Sequence, residues 1–248
     1  MSFDFDGVDD AVDFASPGAL DNAEPFSFAG WIAPDSAGEA NGGRIIGKDS
    51  SGASVTWFLT MDTRPGPCLF FRRDYGTTDL DARTATNTIR TDGTFQHVAL
   101  TWDGSATATN VHIYINGVEP AYQALTNGVG TKATDAANRM YLGNRQGLDR
   151  SFDGRMAYCH FYRRVLTVNE IRTLMYHPMG VGPIIGNTAS TGGALHALPL
   201  GLVTGTGTTD YSGVSPEGSI IAGPVFHAQS PPINELFGPS APMGGGAC

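Results

Sequence analysis

Charge is scarce in this chain. Only 16% of the 248 residues are charged, the formal net charge is −9, and lysine occurs twice, as Lys48 and Lys132. No lysine or arginine follows Arg172. Proteins that bind nucleic acids or anionic membrane surfaces need a basic stripe to neutralise phosphates. The sequence contains no such stripe, so we expect neither class of partner.

Long apolar runs are also missing. No stretch approaches the 18 consecutive apolar residues of a membrane-spanning helix. Residues 1–6 do not supply the cationic segment that precedes the apolar part of a secretory signal. We therefore expect neither membrane insertion nor export through a cleavable signal.

Cysteine occurs three times, as Cys68, Cys159 and Cys248. An odd number without CxxC spacing argues against both a disulfide framework and a zinc site. Free cysteines usually behave as small buried hydrophobes. We expect this of Cys68 and Cys159.

Glycine and proline, by contrast, are abundant and unevenly distributed. The chain has 33 glycines and 15 prolines, and residues 178–248 hold 24 of these 48. The much longer stretch 1–177 holds the other half. This break predicts a compact domain at 1–177 and an extended Gly/Pro-rich tail at 178–248.

The compact domain alternates apolar and polar residues over short runs. In one run, Val98, Leu100 and Trp102 fall on the same face of a strand. Turn-forming Gly, Asn and Asp residues separate the runs. The pattern predicts an all-β antiparallel fold, and its clearest strands are 25–33, 96–103, 110–116 and 155–162.

The sequence clearly predicts only one helix. Thr167 and Glu170 have the spacing of a capping box, in which each side chain bonds the other residue's amide. An apolar face follows at Ile171 and Leu174, and Pro178 ends the helix. The sequence thus predicts one short helix at the end of the domain.

Seven sequence motifs occur along the domain in a fixed order. They are FDGVDDAV at 5–12, FSFAGWI at 26–32, RIIGK at 44–48, QHVALTWDG at 96–104, VHIYINGV at 111–118, YLGN at 141–144, and FDG at 152–154, which is followed by a strand and LTVNEI at 166–171. Together they resemble the laminin G-like domains of the concanavalin A-like lectin/glucanase superfamily. The resemblance covers residues 3–176 and implies a jelly-roll sandwich of two antiparallel sheets, one concave, with the first and last strands adjacent.

Catalysis is not expected. Glycoside hydrolysis usually needs two neighbouring carboxylates, and the superfamily's glucanases carry a Glu-x-Asp-x-x-Glu cluster. The six glutamates here are scattered singly, so we predict that the protein is not an enzyme.

The resemblance implies a calcium site at a sheet rim, where carboxylates and backbone carbonyls supply oxygen ligands. The candidates are Asp6, Asp9, Asp10 and Asp153. The alternative is that these are turn residues that bond local backbone. Where relatives often have Ile-Asp-Glu, this chain has Met-Ala-Tyr at 156–158, which removes two acidic groups.

A glycan site would combine aromatic and charged side chains. The densest such neighbourhood comprises Trp57, Arg72, Arg73, Asp74 and Tyr75, which we predict as ligand-binding residues. The alternative is that the aromatic residues belong to the core and the arginines flank a solvated turn.

The tail is too apolar for a disordered linker. We expect its clusters to dock on the same domain or on neighbouring subunits, through extended pairing or surface grooves. The predicted docking residues are Ile184, Ile185, Leu198, Leu200, Ile220, Ile221, Phe226, Leu236 and Phe237.

Two functional hypotheses follow. The first is a structural protein on a virion surface, made in the host cytoplasm, whose tail clamps it to a capsid or to sister copies in a symmetric homo-oligomer. The second is a secreted or cell-surface carbohydrate-binding module or adhesin, extracellular and possibly dependent on Ca²⁺.

Overall fold

The fold is a sandwich of two antiparallel sheets, as predicted. In the computed structural model, the described residues are 2–14, 21–50 and 56–178, with short segments at 196–198, 203–204, 207–208, 218–221, 225–227 and 231. Two 3₁₀ turns, Glu39–Asn41 and Ala108–Asn110, lie between strands.

The first sheet contains both ends of the domain. Its strands follow the order β17-β1-β12-β3-β8-β9, in which β17 (Val225–His227) is a tail strand. Phe3 lies opposite Met156, so the first and last strands of the domain are adjacent, which confirms the expectation. The domain strands of this sheet are β1 (Ser2–Asp6), β3 (Phe26–Pro34), β8 (Gln96–Trp102), β9 (Val111–Ile115) and β12 (Asp153–Tyr162).

The second sheet follows the order β10-β7-β6-β5-β4-β11-β2-β16-β15-β14, in which the last three are tail strands: β16 (Gly218–Ile221), β15 (Gly207–Thr208) and β14 (Val203–Thr204). The strands from β4 to β7 form hairpin-connected neighbours and make up its middle. The domain strands of this sheet are β2 (Ala11–Asp13), β4 (Arg44–Lys48), β5 (Trp57–Asp62), β6 (Cys68–Arg73), β7 (Leu80–Thr84), β10 (Tyr122–Thr126) and β11 (Tyr141–Leu142).

The core lies between the sheets and is rich in aromatic rings. The ring centroid of Phe26 lies 4.7 Å from that of Trp57, 5.2 Å from Phe161 and 5.6 Å from Trp102. Each such pair adds about 0.5–1.5 kcal/mol beyond its buried area. Cys68 and Cys159 are buried free thiols, which confirms the prediction for both.

Helix α1 (Val168–Tyr176) covers the outer face of the first sheet. The predicted capping box is present: the Glu170 amide donates to Thr167 Oγ1 over 3.3 Å, and the Thr167 amide donates to Glu170 Oε2 over 2.8 Å. Buried Ile171 and Leu174 pack in one apolar cluster with Tyr162. No helix among the described residues is long and apolar enough to cross a membrane.

Five short tail strands are described, and three of them pair with the domain. Leu198 lies opposite Cys159, Ile220 lies opposite Val12, Ile221 lies opposite Ala11, and Phe226 lies opposite Phe3. The tail strands are β13 (His196–Leu198), β14 (Val203–Thr204), β15 (Gly207–Thr208), β16 (Gly218–Ile221) and β17 (Val225–His227).

These pairings are all within one chain. Docking on a second subunit stays a prediction. The other predicted docking residues lie outside the described residues: Ile184, Ile185, Leu200, Leu236 and Phe237.

Candidate functional site

The outer face of the second sheet carries the candidate site, and strand alternation determines which side chains lie there. Successive residues of a strand point to opposite faces. In β5, Trp57 and Leu59 belong to the core between the sheets. The intervening Phe58 and Thr60 therefore face outward.

Register then aligns polar and aromatic side chains in a row across four strands. Arg44 of β4 lies opposite Thr60, Thr60 lies opposite Phe70 of β6, and Phe70 lies opposite Arg83 of β7. Residues directly opposite each other share a face and lie within side-chain contact. Residues distant in sequence thus become one continuous surface.

A cavity of about 680 Å³ lies on this surface. Its volume is within the range of roughly 300–1,000 Å³ that is typical of ligand sites. Five arginines line it, together with one carboxylate, two phenylalanines and backbone from the turn at 40–42. The lining residues are Ala40, Asn41, Gly42, Arg44, Phe58, Thr60, Met61, Asp62, Arg64, Phe70, Arg72, Arg83 and Arg150.

Guanidinium groups cover the aromatic floor of the cavity. The Arg44 guanidinium carbon lies 3.5 Å from the Phe58 ring centroid, and that of Arg83 lies 4.3 Å from the Phe70 centroid. The two rings meet edge to face with centroids 5.8 Å apart. Phe58 is only 5% exposed and Phe70 only 6%, so the rings are under the arginines rather than open to solvent.

Two of the arginines each form a two-bond ion pair with an aspartate outside the cavity lining. Arg44 donates to Asp49 Oδ2 from Nε over 2.9 Å and from Nη2 over 2.7 Å, and both side chains are buried. Burial lowers the pKa of Arg44 and raises that of Asp49, and the attraction between them opposes both shifts. Arg72 forms two parallel bonds of 2.8 Å to Asp81, and these bonds raise the pKa of Arg72.

Of the remaining three arginines, Arg64 and Arg83 share a single carboxylate, and Arg150 has none among the described residues. Asp62 lies 2.8 Å from Arg83 Nη1 and 3.3 Å from Arg64 Nε. The Arg64 side chain is 79% exposed. Arg150 donates to the Asp149 carbonyl over 2.7 Å and forms no ion pair with a carboxylate of the described residues. The cavity therefore presents unneutralised positive charge.

Two of the predicted glycan residues are in the wrong place for that role. Trp57 is 2% exposed, and its ring nitrogen donates to Asp135 Oδ2 over 3.1 Å. Arg73 is fully buried and pairs with Glu24 over 3.0 Å. Period 2 places these side chains on the inner side of β5 and β6, so the structure does not bring them to the cavity surface.

The other three predicted residues have different surroundings. Arg72 lines the cavity. Asp74 and Tyr75 follow the end of β6 and do not contribute to the lining. Burial, followed by repulsion from Asp79, raises the pKa of Asp74 to about 6. The Tyr75 amide donates to Asp79 over 3.1 Å.

Three of the four predicted calcium ligands come together. Carboxylate oxygens of Asp6, Asp9 and Asp10 lie within 4.8 Å of one another. Asp153 lies opposite Asp6 in the β1–β12 pairing but is not part of this group. Burial, with repulsion from Asp6 and Asp9, raises the pKa of Asp10 to about 6.

The donor set suits a hard cation only in part. Three carboxylates fit the oxygen preference of Ca²⁺, which takes six to eight oxygen ligands. Asp10 Oδ2 already accepts the Asp6 amide over 2.9 Å, and Asp6 Oδ1 accepts the Val8 amide over 2.8 Å. The local bonds are also those of the turn alternative. Calcium binding stays a prediction.

Sequence reasoning missed four of the five cavity arginines: Arg44, Arg64, Arg83 and Arg150. They come from separate strands and turns and meet only when the sheet forms. The available signal was alternation, since Phe58, Thr60 and Asp62 share the face of β5 opposite to Trp57. Alternation shows which residues share one face of a strand, but not which residues of neighbouring strands lie beside them.

Comparisons with known proteins agree with this architecture. A family model described as the concanavalin A-like lectin/glucanases superfamily matches residues 6–172. A Bacteroides ovatus protein provisionally described as carbohydrate binding superposes with a TM-score of 0.61 at 17% identity, over 88% of this chain and 57% of that protein. The present chain thus spans little more than half of that relative's length.

A heptameric pentraxin of Limulus polyphemus superposes with a TM-score of 0.50 at 15% identity, over 70% of this chain and 80% of the pentraxin. At these identities the similarity establishes the fold alone. No curated protein matches the chain significantly.

Proposed function

The chain belongs to the laminin G-like group of the concanavalin A-like lectin/glucanase superfamily, and on that premise we propose that it is a non-catalytic carbohydrate-binding module. The ligand occupies the cavity on the outer face of the second sheet, and the protein acts outside the cell. The observation that carries this proposal is the cavity of about 680 Å³ with its polar and cationic lining.

The two outer faces differ in availability. Helix α1 packs on the first sheet through Ile171 and Leu174, both fully buried. The described residues place no helix over the cavity of the second sheet. A ligand that meets the folded domain therefore has a polar concavity on one side and a closed apolar layer on the other.

The lining does not provide the chemistry of a glycosidase. Hydrolysis usually needs a general acid together with a second carboxylate. Asp62 is the single carboxylate among the described lining residues, and it pairs with Arg64 and Arg83. The site thus supports binding without turnover.

The shared fold with the Bacteroides ovatus protein adds support for carbohydrate recognition. The comparisons give no support for the virion hypothesis, and we do not extend it. Assembly with other subunits through the tail stays a prediction that is compatible with either function.

A cavity-blocking variant tests the proposal. An added Cβ at Gly42 would have its nearest contacts at 3.8 Å, from Arg150 Cδ, and 3.9 Å, from the Ala40 carbonyl, so Gly42→Trp projects a large ring beside the cavity without a clash at Cβ. Gly76→Trp is the matched control, because its Cβ has ordinary contacts of 3.6 and 3.7 Å to Thr131, outside the lining.

The measurement is affinity electrophoresis in gels containing dextran, galactomannan, polygalacturonate or dextran sulfate. We expect at least one polymer to retard the wild type and Gly76→Trp but not Gly42→Trp. The proposal fails if no polymer retards the wild type, or if Gly42→Trp is retarded as strongly as the wild type.

A further inference from the structure

We propose that the ligand is an acidic polysaccharide, whose carboxylate or sulfate groups bind in the arginine-lined cavity through Arg64 and Arg150. This inference rests on the proposed function and specifies the chemistry of its ligand. It follows from the balance of hydrogen-bond donors and acceptors, from the covered aromatic rings and from the distribution of charge.

The lining offers many more donors than acceptors. Five of the chain's 15 lysines and arginines line this one cavity, beside one aspartate. A guanidinium group has five N–H donors and no acceptor. Neutral sugar hydroxyls both donate and accept, so they would leave donors unmatched here. Carboxylate and sulfate oxygens only accept, which complements the lining.

The aromatic rings do not offer the stacking surface that a neutral sugar would need. Arg44 covers Phe58 at 3.5 Å, and Arg83 covers Phe70 at 4.3 Å. A sugar ring could reach these faces only by displacing guanidinium groups. Displacing Arg44 would break its bonds to Asp49 and leave that buried carboxylate unpaired, which is strongly unfavourable. The surface that a ligand meets is therefore guanidinium.

Arg64 and Arg150 have the greatest capacity for a new partner. Arg44 and Arg72 each use two nitrogens on an aspartate of their own. Arg64 is largely exposed and has one bond of 3.3 Å from Nε to the shared Asp62. Arg150 has no carboxylate partner among the described residues. A planar guanidinium can bind a carboxylate or sulfate through two parallel bonds.

The rest of the protein limits polyanion binding to this place. The net charge of −9 opposes non-specific attachment of a polyanion elsewhere. Binding through exposed arginines should weaken with salt, because the screening length falls to about 8 Å at 0.15 M ionic strength.

The test measures binding of the full chain by isothermal titration calorimetry against two matched pairs of polymers. Polygalacturonate is compared with its fully methyl-esterified form, and dextran sulfate is compared with dextran. We expect each acidic polymer to bind at least about tenfold more tightly than its neutral counterpart, equivalent to about 1.4 kcal/mol.

Arg64→Gln combined with Arg150→Gln removes two positive charges without leaving a buried carboxylate unpaired, since Asp62 keeps Arg83. We expect this variant to bind polygalacturonate at least about tenfold more weakly. Arg90→Gln is the control, because Arg90 is 63% exposed, pairs with Asp92 and lies outside the cavity. Unfolding midpoints equal to that of the wild type verify that all variants fold.

Each adverse outcome has a distinct meaning. Equal binding of acidic and neutral polymers overturns the acidic-ligand proposal but leaves carbohydrate binding intact. The cavity assignment fails if Arg64→Gln with Arg150→Gln behaves like Arg90→Gln. Polyglutamate that binds as tightly as polygalacturonate also overturns the proposal, because the site would then recognise charge on any polymer. Absence of binding to every polysaccharide overturns the proposed function itself.

Discussion

The outer faces of the two sheets have opposite chemistry. On the first sheet, Tyr114 and Tyr162 join Leu166 and Leu174 in a buried apolar cluster under helix α1. On the second sheet, the equivalent outward positions carry arginines over Phe58 and Phe70. Both sheets use period 2 to supply the shared core, but in the described part of the chain only the first also covers its outer side with an apolar layer.

This difference identifies which part of the molecule is available for recognition. An apolar outer face needs a cover, and the single well-signalled helix provides it. A cationic outer face is stable in water and can remain open. The proposed ligand face is the one on which the chain places charge that its own carboxylates do not fully neutralise.

The largest expected effect comes from breaking the ion pair under the cavity. Arg44→Met removes the partner of Asp49, whose side chain has no exposed area, and should lower the free energy of unfolding by about 3–5 kcal/mol. The loss should be smaller at pH 4 than at pH 7, because protonation neutralises the unpaired Asp49. Denaturant unfolding at the two pH values measures it.

Replacing both Arg44 and Asp49 distinguishes the cost of an unpaired charge from the cost of lost packing. Arg44→Met combined with Asp49→Leu removes the unpaired charge and should recover most of the lost stability. If Arg44→Met alone costs less than about 1 kcal/mol, the floor of the cavity is more solvated than the contacts indicate.

The next effect concerns the closed face. Leu174→Ala opens a cavity between α1 and the first sheet and should cost about 2–3 kcal/mol, because Leu174 is fully buried. Polysaccharide binding should not change. Val165→Ala, at a side chain that is 43% exposed, should alter stability by less than about 0.5 kcal/mol. Weakened binding in Leu174→Ala would show that the two faces are not independent.

A smaller effect is expected at the rim, where Asp10 has a pKa of about 6 against an ordinary 3.8. Between about pH 4 and pH 6, the folded state holds a proton on Asp10 that the unfolded state has released. Protonated Asp10 therefore contributes to the free energy of unfolding below pH 4, and this contribution is lost as the pH rises through 6. Asp10→Asn should remove that pH dependence. We expect the lost change in the free energy of unfolding to be about 1 kcal/mol after solvent screening.

Calcium provides the complementary measurement at the same rim. Ca²⁺ should raise the unfolding temperature of the wild type at pH 7.5, raise it less at pH 5, and leave Asp10→Asn almost unchanged, since protons and the cation compete for these carboxylates. An unchanged wild-type unfolding temperature with Ca²⁺ at pH 7.5 would favour the turn interpretation of Asp6, Asp9 and Asp10.

The sequence was sufficient for features that depend on local pattern. Alternation predicted the central strands, and the spacing of Thr167 and Glu170 predicted the helix cap, because both depend on neighbours within a few residues. The density of aromatic and charged residues predicted Trp57 and Arg73 as ligand residues, whereas period 2 along β5 and β6 places both on the inner side of the sheet. The cavity was not predictable, because contact between Arg44, Thr60, Phe70 and Arg83 requires the register of four strands.

Arginine footprinting tests most directly the claim that the second sheet carries the ligand face. The full chain is treated with phenylglyoxal, with and without polygalacturonate, and modification is quantified by mass spectrometry. The account predicts slower modification of Arg64 and Arg150 when the polymer is present, with no change at Arg90 or at Arg172 of α1. Protection of Arg172 without protection of Arg64 and Arg150 would contradict it.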